Sequence, residues 1–193
     1  MRIIAGHFRS RPLVAPPGQD TRPTSDRLRE TLFNVLAPRL PGSVFLDLYA
    51  GSGAVGIEAI SRGAREVIFV ERAEPALRAI RANLSSLDIR GGYSLEARSA
   101  AAALKRLASS QRAANIICAD IIFLDPPYSE AAEYESILTL LGSECRPLLA
   151  PNATVIAEHL KKQSLAESYA ALNRYRTLKQ GDSILSFYAG PIK

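Results

Sequence analysis

Two short stretches of this chain combine residue types that can hold a reacting amine and a cofactor. One is Asp125-Pro126-Pro127-Tyr128, directly after the apolar run at 121–124. Proline has no N–H and fixes the local backbone. The Asp125 carboxylate and the Pro126 carbonyl are therefore presented as acceptors, with no competing donor from residues 126 or 127. An acceptor pair suits an exocyclic amino group, which offers two N–H donors. Tyr128 adds a face on which the same base can stack. The plain alternative is a proline turn leaving a strand.

The other stretch is Asp47-Leu48-Tyr49-Ala50-Gly51-Ser52-Gly53-Ala54-Val55-Gly56, with Glu71 placed 20 residues after Gly51. Glycines here let the backbone approach a ligand at the carboxyl edge of a sheet, where open α/β folds bind. A carboxylate at the end of the next strand can accept both hydroxyls of a ribose. Gly51, Gly53 and Gly56 also match the G-x-G-x-x-G of dinucleotide enzymes, so a nicotinamide cofactor competes as a reading. Hydride transfer, however, has no use for the acceptor pair at 125–126.

Both stretches need a scaffold, and the hydrophobic pattern supplies one. Apolar runs at 44–48, 67–70, 121–125 and 154–158, with a weaker one at 93–97, alternate with helical patterns. These helices are expected from Ser25 or Asp26 to Pro38, over 54–62, after Pro75 with a Leu77, Ile80, Leu84, Leu87 stripe, and over the alanine-rich 99–108. Such alternation means βαβ units and a buried, mostly parallel sheet. Residues 175–179 and 183–188 flank Gln180-Gly181-Asp182 as a terminal antiparallel hairpin. Residues 1–25, rich in Pro and Arg, read as a basic arm or small hairpin ahead of one domain at 26–193.

Composition narrows the class. Among 193 residues, 47% are hydrophobic and 22% charged, which fits a globular chain. No apolar run is long enough to span a membrane, and the opening MRIIAGHFRSRP has no apolar stretch of the length expected of a secretory signal. Two cysteines, Cys118 and Cys145, fit neither a disulfide framework nor a zinc site, so the expectation is a cytoplasmic protein without metal, with both as small buried groups. His7 and His159 have no ligand-like neighbours and read as structural or surface residues. The net charge of +5 is uneven: residues 1–40 carry +4, the stretch from His159 onward +4, and the middle −3. Positive ends on an acidic body suit a polyanion docked at the domain's edges. In the arm, Arg2, Arg9, Arg11 and Arg22 with Phe8 suit phosphate contacts and stacking on unpaired bases.

Together these blocks carry a resemblance. DLYAGSG followed by DPPY resembles the S-adenosylmethionine-dependent methyltransferases of exocyclic amines. The opening RIIAGHFRSR, RPTSDRLRETLFNVL (22–36), LDLYAGSGAVGIEAISRGA (46–64), VIFVER (67–72) and FLDPPY (123–128) resemble, across almost the whole chain, the bacterial 16S rRNA guanine-N2 methyltransferases of the RsmD type. The resemblance implies a class I methyltransferase fold, Rossmann-like, with helices on both faces of a twisted sheet. It implies that Gly51, Ser52 and Gly53 line the methionine part of the cofactor and Glu71 its ribose. It further implies that Thr24, Asp26 and Arg29 close over the cofactor from the opposite side. Asp47, Tyr49, Arg72, Ser99 and Ala100 join the cofactor set by the same carry-over. Where the family usually ends its third strand with an acid that contacts the adenine amine, this chain has Arg98-Ser99-Ala100, and Ser99 can accept one hydrogen bond. The implied substrate is small-subunit rRNA, within an assembled or assembling 30S particle. Two rivals remain: an adenine-N6 DNA methyltransferase, which normally needs an added target-recognition region, and a non-catalytic ribosome assembly factor, which has no need for Asp125 or Tyr128.

Overall fold

A computed structural model describes residues 1–16, 26–111, 118–127 and 130–190. The chain divides into two compact units, Met1–Arg98 and Ser99–Lys193. The first contains α1 (Asp26–Leu36), β1 (Val44–Leu48), α2 (Ala54–Ser61), β2 (Glu66–Glu71), α3 (Glu74–Ser86) and β3 (Tyr93–Ala97). Its strands pair in parallel in the order β3-β2-β1, with Leu46 opposite Ile68 and Ile68 opposite Ser94. Every residue of β1 is buried, which explains why VFLDL reads as a continuous run rather than an alternating one. Pro75 sits in the first turn of α3, where its missing N–H costs nothing. On α1, Leu28, Leu32, Phe33 and Leu36 bury one face, and Phe33 stacks on Phe45 of β1 at 6.2 Å between ring centres.

Residues 1–16 form an irregular hairpin that belongs to this first unit. Ile3 N–H donates to the Arg11 carbonyl (3.0 Å), Ser10 N–H to the Ile3 carbonyl (2.9 Å), and Arg2 bridges Pro12 antiparallel. Ile3 and Leu13 are buried, so the arm contributes to the core instead of lying wholly in solvent.

The second unit contains α4 (Ala100–Gln111), β4 (Ala119–Leu124), α5 (Ala132–Gly142), β5 (Leu149–Leu160), β6 (Ser168–Tyr169), β7 (Leu172–Gln180) and β8 (Ser183–Ala189). Its strands follow the order β4-β5-β8-β7-β6. β4 and β5 are parallel, and the remaining pairs are antiparallel. The alternating α/β pattern and the closing hairpin are both present. Three elements differ from the sequence reading. β5 starts at Leu149 instead of 154 because Leu149 already pairs with Ala119 before a register shift. The exposed Pro151 and Asn152 in between hide that start from an apolar pattern. α5 and the two-residue β6 were not expected at all. Cys145 is buried as expected, but Cys118 is half-buried ahead of β4. His159 is buried against Ser186 at 2.9 Å, a structural position, and burial lowers its pKa. Among the described residues no helix is long and apolar enough to cross a membrane.

Candidate active site

The loop after β1 is held from beneath by Asp47. This carboxylate is buried, and its Oδ2 accepts the Gly56 N–H at 2.9 Å. The first turn of α2 has no side-chain cap of its own, so the strand's aspartate satisfies one of its orphan donors. Burial pushes the Asp47 carboxyl up to about 7, Gly56 pulls the other way, and the charge of Glu71 adds to the rise. Asp47 thus supports the loop from inside. Gly51 and Gly53 take left-handed backbone angles, φ 55° and 78°. Among the described residues a Cβ built on Gly51 would meet nothing within 4 Å, which leaves that side of the loop open to a ligand. On Gly56 a Cβ would lie 2.3 Å from the Phe69 ring, so this third glycine lets α2 pack on β2. Tyr49 also has a positive φ, 64°, an arrangement that costs roughly 1–3 kcal/mol for a residue with a side chain.

Glu71 closes the loop from the neighbouring strand. Its Oε2 accepts the Gly51 N–H at 2.8 Å, and its Oε1 accepts the N–H groups of Arg72 and Ala73, each at 2.8 Å. A carboxylate offers about four acceptor positions, so capacity remains for a hydroxyl. Ser52 is held through its carbonyl, which accepts from Asn83 Nδ2 at 2.9 Å, while its hydroxyl lies 3.8 Å from the Met1 sulfur.

The remaining cofactor candidates fall in different surroundings. Asp26 is half-exposed and pairs with Arg29 at 2.9 Å and with Arg2 at 3.7 Å. The resemblance implied that Arg29 closes over the cofactor; the structure buries it fully. Its guanidinium donates to the Arg2 carbonyl and lies 3.9 Å from Glu58, while burial lowers its pKa and Glu58 and Asp26 hold it up. Arg29 therefore braces α1 against the arm and α2. Thr24 lies outside the described residues. Ser99 precedes α4, where its Oγ accepts the Ala102 N–H (3.4 Å) and its carbonyl the Ala103 N–H (2.9 Å); Ala100 is buried. Arg98 pairs with Glu96 at 2.9 Å.

At the end of β4, Asp125 is half-buried, Pro126 buried and Pro127 exposed. The Pro127 carbonyl accepts the Glu130 N–H at 2.8 Å, which starts the turn into α5. Tyr128 lies outside the described residues, as does Arg22. In the arm Arg2, Arg9 and Arg11 are exposed and Phe8 half-buried, edge-on to His7. Arg11 reaches the Ser86 carbonyl at 3.2 Å.

Three residues that sequence reading did not single out hold the arm. Glu58 of α2, fully buried, accepts the N–H groups of Ile4 (2.7 Å) and Ala5 (3.0 Å) and pairs with Arg62 at 2.7 Å. The Ser61 hydroxyl accepts from Phe8 N–H (2.9 Å) and donates to the Ala5 carbonyl (2.6 Å). Asn83 of α3 exchanges two bonds with the backbone of Val14, at 2.9 and 3.0 Å, besides holding Ser52. One signal was available: Glu58 is the only charge in AVGIEAIS.

The chain is similar to several known proteins. Residues 1–189 match the family model described as "Conserved hypothetical protein 95". YlbH of Bacillus subtilis is 35% identical over 188 residues, covering 97% of this chain and 98% of that protein. The Escherichia coli K12 protein named ribosomal RNA small subunit methyltransferase D is 37% identical over 158 residues, covering 82% of this chain and 74% of its own. The solved structure of Escherichia coli yhhF superposes with a TM-score of 0.83 at 29% identity, covering 100% of this chain and 99% of that one. The glycine loop, the acidic end of β2 and the Asp-Pro-Pro end of β4 thus stand on a class I methyltransferase fold, and the chain belongs to the ribosomal RNA small subunit methyltransferase D family.

Proposed function

We infer that the protein transfers a methyl group from S-adenosylmethionine to the exocyclic N2 of a guanine in small-subunit rRNA, in the cytoplasm and on an assembled or assembling subunit. The observation that carries this reading is the open loop at Gly51, held by Glu71 at 2.8 Å and braced through Asp47, in a chain that also ends β4 in an Asp-Pro-Pro acceptor pair. The residues fit the cofactor: Gly51 leaves room, Glu71 keeps acceptor capacity for a ribose hydroxyl, and Ser52 and Gly53 would complete the wall for the methionine part. When bound, S-adenosylmethionine supplies a sulfonium methyl whose transfer to nitrogen releases a neutral thioether. The chain's own task is positioning. Asp125 and the Pro126 carbonyl accept the two N2 hydrogens, which turns the nitrogen lone pair away from the ring and toward the methyl. Tyr128 stacks on the extruded base. No strong base is required, because methylated N2 is acidic and Asp125 already accepts its proton's hydrogen bond. Methyl incorporation into small subunits by the purified protein, followed by mapping of the modified nucleotide, tests the reading; label in adenine, or none, would overturn it.

Glu71→Ala is expected to weaken S-adenosylmethionine binding. Charge-assisted bonds of this type contribute about 1.5–3 kcal/mol, or roughly ten- to a hundredfold in affinity. Calorimetry reads the change, with Glu71→Gln, which keeps one carbonyl acceptor, falling between. Unchanged affinity in both variants would remove Glu71 from the ribose.

Replacing Arg9 and Arg11 with alanine is expected to lower affinity for small subunits and to flatten the salt dependence by about one to two units of slope. Both side chains are exposed, and the arm is held through its backbone, so thermal stability should stay near wild type. A salt series of subunit binding decides: equal slopes return these arginines to the solvated surface.

A further inference from the structure

The positive charge from His159 onward has no role in the reading so far. Much of it gathers on the β7–β8 hairpin and on the residues that follow β5. β5 runs parallel to β4, with Ala157 opposite Leu124, so Lys161 and Lys162 emerge from the same sheet edge as Asp125. Leu160 pairs with Ser183, and Ser183 with Gln180, which brings Lys179 and the hairpin turn to that edge as well. Lys161 N–H donates to the Asp182 carbonyl at 2.7 Å, tying the two segments together. Among the described residues no carboxylate is ion-paired with Lys161, Lys162, Arg176 or Lys179, and all four are exposed.

Four residues before Lys179 on β7, roughly 13 Å back along the strand, is an aromatic side chain that the core does not need. Tyr175 is 54% exposed, yet it is fixed. A register shift between Arg174 and Arg176 sets both Tyr175 and Arg176 against Phe187. The Tyr175 ring lies 6.1 Å from that of Phe187, the Arg176 guanidinium 5.8 Å from the same ring, and the Tyr175 hydroxyl shares a 2.8 Å hydrogen bond with buried Thr154. A bulge that re-aims a side chain is a recurrent device at functional sheet edges. A ring already ordered in this way gives up little entropy on binding. β7 is three strands from β4, roughly 14 Å at ordinary strand spacing.

We propose that the β7–β8 hairpin is a second RNA-binding surface, with Tyr175 and Arg176 as a stacking platform for an unpaired base in the strand that flanks the target guanine and Lys161, Lys162 and Lys179, at the Asp125 edge, on phosphates between that base and the guanine. Lysine is depleted at protein–protein interfaces and favoured on phosphates, so the charge complements RNA rather than a protein. The proposal rests on the rRNA reading for its partner. A single-stranded flank is the form of RNA that aromatic faces bind.

The test measures binding and methylation by wild type, Tyr175→Ala, Tyr175→Leu and the triple Lys161→Ala, Lys162→Ala, Lys179→Ala variant, on intact small subunits and on deproteinised rRNA. Tyr175→Ala is expected to raise Kd and KM for both by about five- to a hundredfold with kcat at saturation within about twofold. Tyr175→Leu keeps apolar packing on Phe187 without the stacking plane, so it should behave the same and carries the test if the alanine variant does not fold. The triple variant should lower the salt slope by about two units. Affinity and KM unchanged in the Tyr175 variants would overturn the proposal, as would a loss confined to intact subunits, which would assign the hairpin to a ribosomal protein. Failure of wild type to methylate would strike the guanine reading alone, since direct binding still reports on the hairpin.

Discussion

Asp125→Ala should reduce methyl transfer by at least about a hundredfold while S-adenosylmethionine affinity changes no more than a few-fold. The end of β4 is set by burial: Leu124 is fully buried, Pro126 is buried behind it, and the strand is paired in register with β5. Asp125 therefore leaves the sheet in a fixed direction, followed by two residues that cannot donate. If Asp125 receives the amine as proposed, deleting its carboxylate removes one of two acceptors that aim it, and misaiming a nucleophile by an ångström is enough for a loss of this order. Asp125→Asn separates positioning from volume. It keeps the shape but turns one acceptor into a donor facing the substrate's own N–H, so it should be nearly as inactive as alanine. Single-turnover methylation alongside cofactor calorimetry gives both readouts. An Asn variant with wild-type rate would show that Asp125 does not receive the amine.

Glu58→Ala should cost about 3–5 kcal/mol of stability, the usual result of breaking a buried ion pair from one side. In a chain of this size that lowers Tm by roughly 6–20 °C. The reason lies in what Glu58 leaves behind. Arg29, fully buried, would lose a counter-charge at 3.9 Å, and among the described residues two of its nitrogens already have no hydrogen-bond partner. The N–H groups of Ile4 and Ala5 would lose their acceptor, and Arg62 its partner at 2.7 Å. Glu58→Gln retains an acceptor for the arm but no charge for the two arginines, and should fall between. Urea unfolding measures the cost, and hydrogen exchange at Ile4 and Ala5 shows whether the arm is released first. Wild-type stability in the alanine variant would refute the brace.

The loop and the strand ends were legible because they rest on local chemistry. Gly51 and Gly53 report a backbone that side chains resist, and Glu71 follows at the spacing of one helix and one strand. The braces were not legible for the opposite reason. Glu58, Ser61 and Asn83 act on backbone groups 53 to 69 residues away, and a main-chain amide leaves no mark in a sequence. Arg29 is the instructive case. Its place beside Asp26 in a motif fits a ligand contact, while its burial depends on where Glu58 lies in a different helix. Sequence patterns report faces of elements well; they report which faces meet much less well.

The arm is gripped by its main chain, at residues 4, 5, 8 and 14, and by few of its side chains. Such a grip tolerates mutational drift. The side chains at 9 and 11 can change identity, charge or length while the hairpin keeps its register, because its fixing contacts are main-chain ones and the single side-chain bond from Arg11 to the Ser86 carbonyl is exposed. Gly6 is the exception, since any Cβ there would run into the Ser61 carbonyl. The frame that holds the arm and its exposed surface can therefore evolve on separate clocks, with Glu58, Ser61, Asn83 and Gly6 constrained by folding and the exposed arginines under whatever constraint their own partner sets.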